Sequence, residues 1–317
     1  MLRRRVLATL LATSLVPAAA RGAGRLSIVT TIAQIADLAG RIAGDRAEVR
    51  SLMGEGVDPH TYRQTRADVL ALRRADLVLA NGLGLEAQLE DLLDALAREK
   101  PVIRLAERLP VERLLAHPEF AGKFDPHIWM DVGLWRELVD VVRDELARLD
   151  PPDAAGYAER ARVYRAELDA LEDYARGVLA SVPAERRVLI TAHDAFGYFG
   201  RAYGFEVRGI QGLSTESEAG LSEIEGLVRL IVERGIGAVF VESSVAERNV
   251  KALVEGAAAR GRAVRIGGRL FSDAMGAPGT WEGTYVGMID HNVTVIARAL
   301  GGEAPPRGMA GRLASGV

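Results

Sequence analysis

The chain has 317 residues, 49% of them hydrophobic and 26% charged, with a formal net charge of −3. This balance excludes a disordered or low-complexity chain and is enough for two domains with cores of their own. A slightly acidic total gives no electrostatic reason to expect nucleic acid as a partner.

The chain opens with Arg3-Arg4-Arg5, a basic run followed by apolar residues from Val6 to Ala20 that end in small side chains. That order reads as a secretory signal peptide, residues 1–23, with cleavage after Ala20 or Gly22. A membrane span needs about 20 apolar residues, and this run is shorter and broken by Pro17. The sequence contains no cysteine. Stability in an exported protein must then come from core burial, no lipid can be attached through an N-terminal cysteine, and any metal site must be built from histidine and carboxylate.

Beyond the signal, short β-branched runs alternate with longer amphipathic stretches, the pattern of an α/β fold with mostly parallel sheets. Strands are expected at 26–30, 48–53, 76–80 and 102–105, with helices between them at 32–44 and 85–98. From Pro152 to Ala180 apolar residues recur at three-four spacing, with Pro151-Pro152 before and Pro183 after. This predicts one helix of about 28 residues, about 42 Å long, able to act as a stiff strut. Strands follow at 187–191, 206–210, 238–242 and 263–266, with helices at 196–203, 221–234, 245–260 and 282–300. The expected architecture is two lobes, each with a mostly parallel four-stranded sheet flanked by helices, joined by one long rigid helix. The boundaries are 24–150 for the first lobe, 151–182 for the linking helix and 183–317 for the second lobe.

Four polar residues fall where these strands run out: His60, His127, His193 and Asp273. Three of them draw on a supply of five histidines, and two occur in the same tripeptide, Asp58-Pro59-His60 and Asp125-Pro126-His127. Ligands of open parallel sheets bind beyond the carboxyl ends of the strands. Three imidazoles and one carboxylate complete a tetrahedral set for a borderline-soft divalent metal such as zinc. A set that fills every position holds an ion and leaves no place for a reactive water. Proline beside His60 and His127 restricts the backbone and lowers the entropy of holding a ligand in place.

A metal-bound histidine usually donates its second ring N–H to an oxygen, and Asp58, Asp125 and Asp194 are the acceptors nearest in sequence. Glu242, at a strand end, is the rival carboxylate ligand; otherwise it pairs with Arg248 or takes loop amides. His117, in a polar loop, and His291, within the last helix, read as non-ligands.

At these residues the chain resembles the TroA/ZnuA-like metal-binding proteins of bacterial zinc and manganese ABC importers. The resembling stretches are Gly56-Val57-Asp58-Pro59-His60, Asp125-Pro126-His127-Ile128-Trp129-Met130-Asp131, the run from Thr191 to Phe199, Val241-Glu242-Ser243-Ser244, and Phe271-Ser272-Asp273-Ala274-Met275-Gly276 with Gly283-Thr284-Tyr285. The resemblance covers residues 26 to 300 and implies His60, His127, His193 and Asp273 as the metal ligands. It implies a non-enzymatic periplasmic protein that captures a divalent metal ion with high affinity and delivers it to the permease of an ABC importer; a monomer is the default expectation. Three histidines favour Zn2+, with Mn2+ next. Many relatives have a lipidated cysteine or, in zinc-specific cases, a His-rich loop; here there is no cysteine, and the stretch before Asp125 holds only His117. The alternative is an exported zinc-dependent hydrolase, which needs an open coordination position and a general base. The chain has no His-Glu-x-x-His.

Overall fold

A computed structural model describes residues 24–118 and 120–314. The expected signal peptide lies outside the described residues. The first half runs β1 (Leu26–Thr30), α1 (Ala33–Ala43), β2 (Ala47–Ser51), α2 (Arg66–Arg74), β3 (Leu77–Ala80), α3 (Glu90–Ala97), β4 (Val102–Arg104) and α4 (Val132–Leu149). The long helix α5 (Ala154–Ala180) follows. The second half runs β5 (Val188–His193), α6 (Gly197–Tyr203), β6 (Glu206–Gln211), α7 (Leu221–Arg234), β7 (Ala238–Glu242), α8 (Arg248–Ala259), β8 (Arg265–Leu270) and α9 (Tyr285–Ala299).

All strand pairs are parallel, as the alternation of strands and helices requires. The first half forms one sheet in the order β2-β1-β3-β4, so the winding reverses between β1 and β3. The second half repeats that plan as two hydrogen-bonded pairs, β5-β6 and β7-β8, with β5 beside β7. Each half therefore has a crevice at the carboxyl ends of its two inner strands, where loops leave in opposite directions.

Helix α5 has 27 residues and buries Tyr157, Ala161, Tyr164, Leu168 and Leu171 along one stripe. It packs on α1 and α4 from the first half and on α6 and α9 from the second, so one core runs through both. The strands of the second half split their side chains by period two. Leu189 and Phe240 face the shared core, whereas Val188, Ile190, Val239 and Val241 face a separate core closed by α7 and α8. No helix among the described residues is long and apolar enough to cross a membrane.

Three local differences from the sequence expectation have physical causes. Helix α2 buries little, only Asp68 and Leu72, so its apolar periodicity is weak. It is fixed instead by a capping box, in which Thr65 accepts from Asp68 N–H and the Asp68 carboxylate accepts from Thr65 N–H. The 85–98 stretch is helical only from Glu90, after a 3-10 turn at Ala87–Leu89. The last strand begins and ends later than expected, because Gly267-Gly268 conceals it. Both glycines lie against α9: a Cβ on Gly267 would come within 2.8 Å of the Ala299 Cβ, and one on Gly268 within 2.5 Å of Val295 Cγ1. They mark close backbone approach within an irregular strand, where the register shifts between Val239 and Phe240 of the partner.

Candidate metal centre

The repeated Asp-Pro-His tripeptide builds the same local device twice. Asp58 Oδ1 accepts the backbone N–H of His60 at 2.9 Å, and Asp125 Oδ1 accepts that of His127 at 2.9 Å. An aspartate bonding the backbone two residues on is an Asx turn, which holds the chain where proline has already narrowed it. Asp125 Oδ1 also lies 2.8 Å from His127 Nδ1. Asp58 does not take the His60 ring; its other oxygen accepts from the Thr215 hydroxyl in the second half.

His193 is the last residue of β5 and is fully buried. Its backbone N–H donates to Glu242 Oε1 at 2.8 Å, and its Nδ1 lies 2.5 Å from Glu242 Oε2. Glu242 therefore binds both the ring and the backbone of His193, while Arg248, the alternative partner, pairs with Glu218. Asp194 is set near Asp125; burial first, then that neighbouring carboxylate, pushes its pKa up.

Asp273 follows β8 and is clamped from three sides. Asn292 of α9 both donates to and accepts from the Phe271 backbone. Trp129 Nε1 donates to Ser272 O at 2.9 Å, and Gln34 Nε2 to Asp273 O at 2.9 Å. The last two donors belong to the first half.

These placements bring His60, His127, His193 and Asp273 together, with one donor atom from each within 4.8 Å of all the others. His60 Nε2 is 3.2 Å from His127 Nε2; Asp273 Oδ1 is 3.5 Å from His127 Nε2, and its Oδ2 is 3.2 Å from His193 Nε2 and 4.0 Å from His60 Nε2. Four donors at the usual zinc–nitrogen distance form a tetrahedron with edges of about 3.3 Å; the His60–His127, His127–Asp273 and His193–Asp273 separations are near that edge and the His60–Asp273 one is longer.

The hydrogen-bond network also fixes where the lone pairs point. A carboxylate only accepts, so Nδ1 of His127 and of His193 must carry a proton, which leaves each Nε2 as the ring atom available to a metal ion. His193 Nε2 and Asp273 Oδ1 are buried without a hydrogen-bond partner among the described residues. Nitrogen donors and a carboxylate gathered in a buried site are held together by positive charge, supplied by a proton on His193 or by a metal ion.

Burial lowers the His60 pKa to about 3, helped by the two other rings and opposed by Asp273. Burial works against a charged His193 as well, but Asp273 and Glu242 outweigh it and hold that ring well above its ordinary value. The Asp273 carboxyl, despite burial, is held well below the usual range by the three histidines.

The other two histidines lie elsewhere. His117 Nδ1 accepts from Phe120 N–H, and His291 Nε2 contacts Arg269 O. A cleft of about 650 Å³, lined by Leu83, Phe120, Pro126, Leu213 and Glu216, reaches the cluster at His60.

The chain matches the family model for ZnuA, the periplasmic component A of the zinc-uptake complex, over residues 28–299. It is 48% identical over 277 residues to the zinc-binding protein TroA of Treponema pallidum, covering 87% of this chain and 89% of that one. It is 46% identical over 277 residues to the manganese-binding lipoprotein MntA of Bacillus subtilis, covering 87% and 90%. The structure of the T. pallidum periplasmic zinc-binding protein superposes with a TM-score of 0.85, covering 87% of this chain and 99% of that one.

Proposed function

The chain belongs to the ZnuA family of metal ABC-transporter solute-binding proteins, and on that premise we propose that it captures a divalent transition-metal ion in the periplasm and delivers it to an ABC permease. His60, His127, His193 and Asp273 are the ligands, two from each half of the chain. One observation carries this reading: three imidazole nitrogens and a carboxylate meet in a buried space, one donor atom from each within 4.8 Å of all the others. The ion enters and leaves past His60, the ligand that lines the cleft.

Zinc is the preferred cargo and manganese the second. Imidazole nitrogen suits zinc, carboxylate oxygen suits manganese, and affinity for such sites rises from manganese to zinc. Relatives named for each metal are close to this chain in sequence, so the preference rests on the donor set. Four protein donors leave no position for a reactive water, which favours a carrier over a hydrolase. In this reading residues 1–23 are the export leader, and 24–150, 151–182 and 183–317 are the first lobe, linking helix and second lobe.

The test is a titration of chelator-stripped protein with zinc and manganese, separately and in competition. The expected result is one ion per chain, with zinc displacing manganese. Absence of stoichiometric binding of either ion would remove the proposal.

A further inference from the structure

We propose that Glu242 is the positioning residue that turns His193 into a metal donor and thereby sets the preference for zinc over manganese. This rests on the reading of the four-residue cluster as the metal site. Glu242 ends β7 and is 2% exposed. Both of its oxygens serve one neighbour: Oε1 takes the His193 backbone N–H at 2.8 Å and Oε2 faces the ring Nδ1 at 2.5 Å. The backbone bond sets the height of the ring along β5, and the ring bond sets its rotation and keeps its proton on Nδ1. The remaining nitrogen, Nε2, is then the one that faces Asp273, 3.2 Å away, and the one a metal ion can take in exchange for a proton.

A carboxylate behind an imidazole strengthens its metal-facing nitrogen as a donor. A stronger nitrogen benefits an ion that prefers imidazole more than one that prefers oxygen. Glu242 thus acts on the choice of metal without touching it. The other histidines are held differently: Asp125 binds both the backbone and ring of His127 through a single oxygen, and Asp58 binds only the His60 backbone. His193 is the ring whose donor state depends on a two-oxygen acceptor from another strand.

The substitution Glu242→Gln isolates this role. It preserves length and shape but offers one acceptor and one N–H2 group to two N–H donors. Whichever way the amide turns, a donor faces a donor. Relief comes when the ring proton moves to Nε2 or the ring swings away, and either change removes the third nitrogen.

The experiment compares wild type and Glu242→Gln for zinc and manganese affinity and for the visible spectrum of the cobalt-loaded protein, with metal-free unfolding as the folding control. Zinc affinity is expected to fall about 10–100-fold, manganese affinity to fall less, and the cobalt spectrum to change. Equal loss for both metals, or unchanged zinc binding and cobalt spectrum, overturns the proposal. If the variant does not fold, ring 15N NMR of His193 in wild-type protein decides. A proton on Nδ1 with zinc on Nε2 supports the proposal, and the reverse assignment overturns it. Failure of wild type itself to bind zinc removes the metal-site reading beneath it, and is distinguishable because the variant plays no part in it.

Discussion

The two halves of the chain share a strand plan and place a buried glutamate at the same crossing, yet they use it differently. In the first half Glu86 sits where β1 and β3 diverge. Its Oε1 takes the Thr31 hydroxyl and the Asn81 N–H, and its Oε2 takes the Gly82 N–H. It closes the backbone at the end of a continuous four-stranded ladder. In the second half Glu242 sits where β5 and β7 meet, between two separate pairs, and spends its oxygens on His193. One glutamate completes a scaffold; the other completes a site. Equivalent topology fixes where a buried carboxylate is useful, and the neighbouring residue fixes what it does.

The halves also differ in how their proposed ligands are anchored. His60 and His127 are held by aspartates of their own tripeptides, within the half that carries them. Asp273 is carried by the second half but bonded through its backbone to Gln34, with its neighbour Ser272 bonded to Trp129. His193 is the proposed ligand whose ring and backbone hydrogen bonds both stay inside the second half.

The largest expected effect comes from removing that ligand. His193→Ala should lower zinc affinity by more than about 100-fold, beyond the usual cost of losing a supporting residue, as measured by competition with a chromophoric chelator. A loss of only a few-fold would mean that the second half contributes little to the site. Next is the first-half glutamate. Glu86→Gln places an amide N–H2 against hydroxyl and backbone donors and should cost about 1–3 kcal/mol of stability in chemical denaturation. Zinc affinity of the folded variant should stay close to wild type. If it fell as far as in Glu242→Gln, the contrast between the two glutamates would be lost.

Acidity should act through His193. Its pKa in the metal-free protein is raised by Asp273 and Glu242 against burial, so near neutral pH the ring carries a proton that the ion must displace. Zinc affinity should therefore rise with pH, by up to about tenfold per unit, and stop rising above the His193 pKa. His60, lowered to about 3, stays neutral throughout. Calorimetry in buffers of different ionisation enthalpy should record at least one proton released per ion; none released would contradict this electrostatic account. The smallest effect is expected at the cross-half anchor. Gln34→Ala leaves Asp273 O without that donor and should cost about 1 kcal/mol of stability, with a few-fold loss of zinc affinity. An effect as large as His193→Ala would make Gln34 a principal determinant of the site.

Much of this arrangement is legible in the sequence, for identifiable reasons. His60, His127, His193 and Asp273 stand out because histidine is scarce, His60 and His127 share a repeated Asp-Pro-His tripeptide, and His193 directly follows a short apolar run. The strands at Leu26–Thr30 and Ala238–Glu242 read as short apolar, β-branched runs, and the helix at Leu221–Arg234 carries a three-four apolar spacing. Helix α2 is harder to see because its capping box, rather than its apolar face, defines it, and β8 is masked by glycines whose purpose is contact with α9. Glu242 reads from sequence as a rival ligand, since nothing local reveals that β7 lies beside β5 with His193 at its end. The reach of Gln34 and Trp129 to the Asp273 loop is likewise a property of the packed halves, spanning more than 140 residues of chain.

The most direct test of the central claim, that four side chains from both halves enclose one ion, is X-ray absorption of the zinc-loaded protein, with the His193→Ala variant beside it. The account predicts four nitrogen and oxygen donors at about 2.0–2.1 Å, with the scattering signature of three imidazoles in wild type and two in the variant. A wild-type site with fewer than three imidazoles, or one whose imidazole count does not change in the variant, would contradict it.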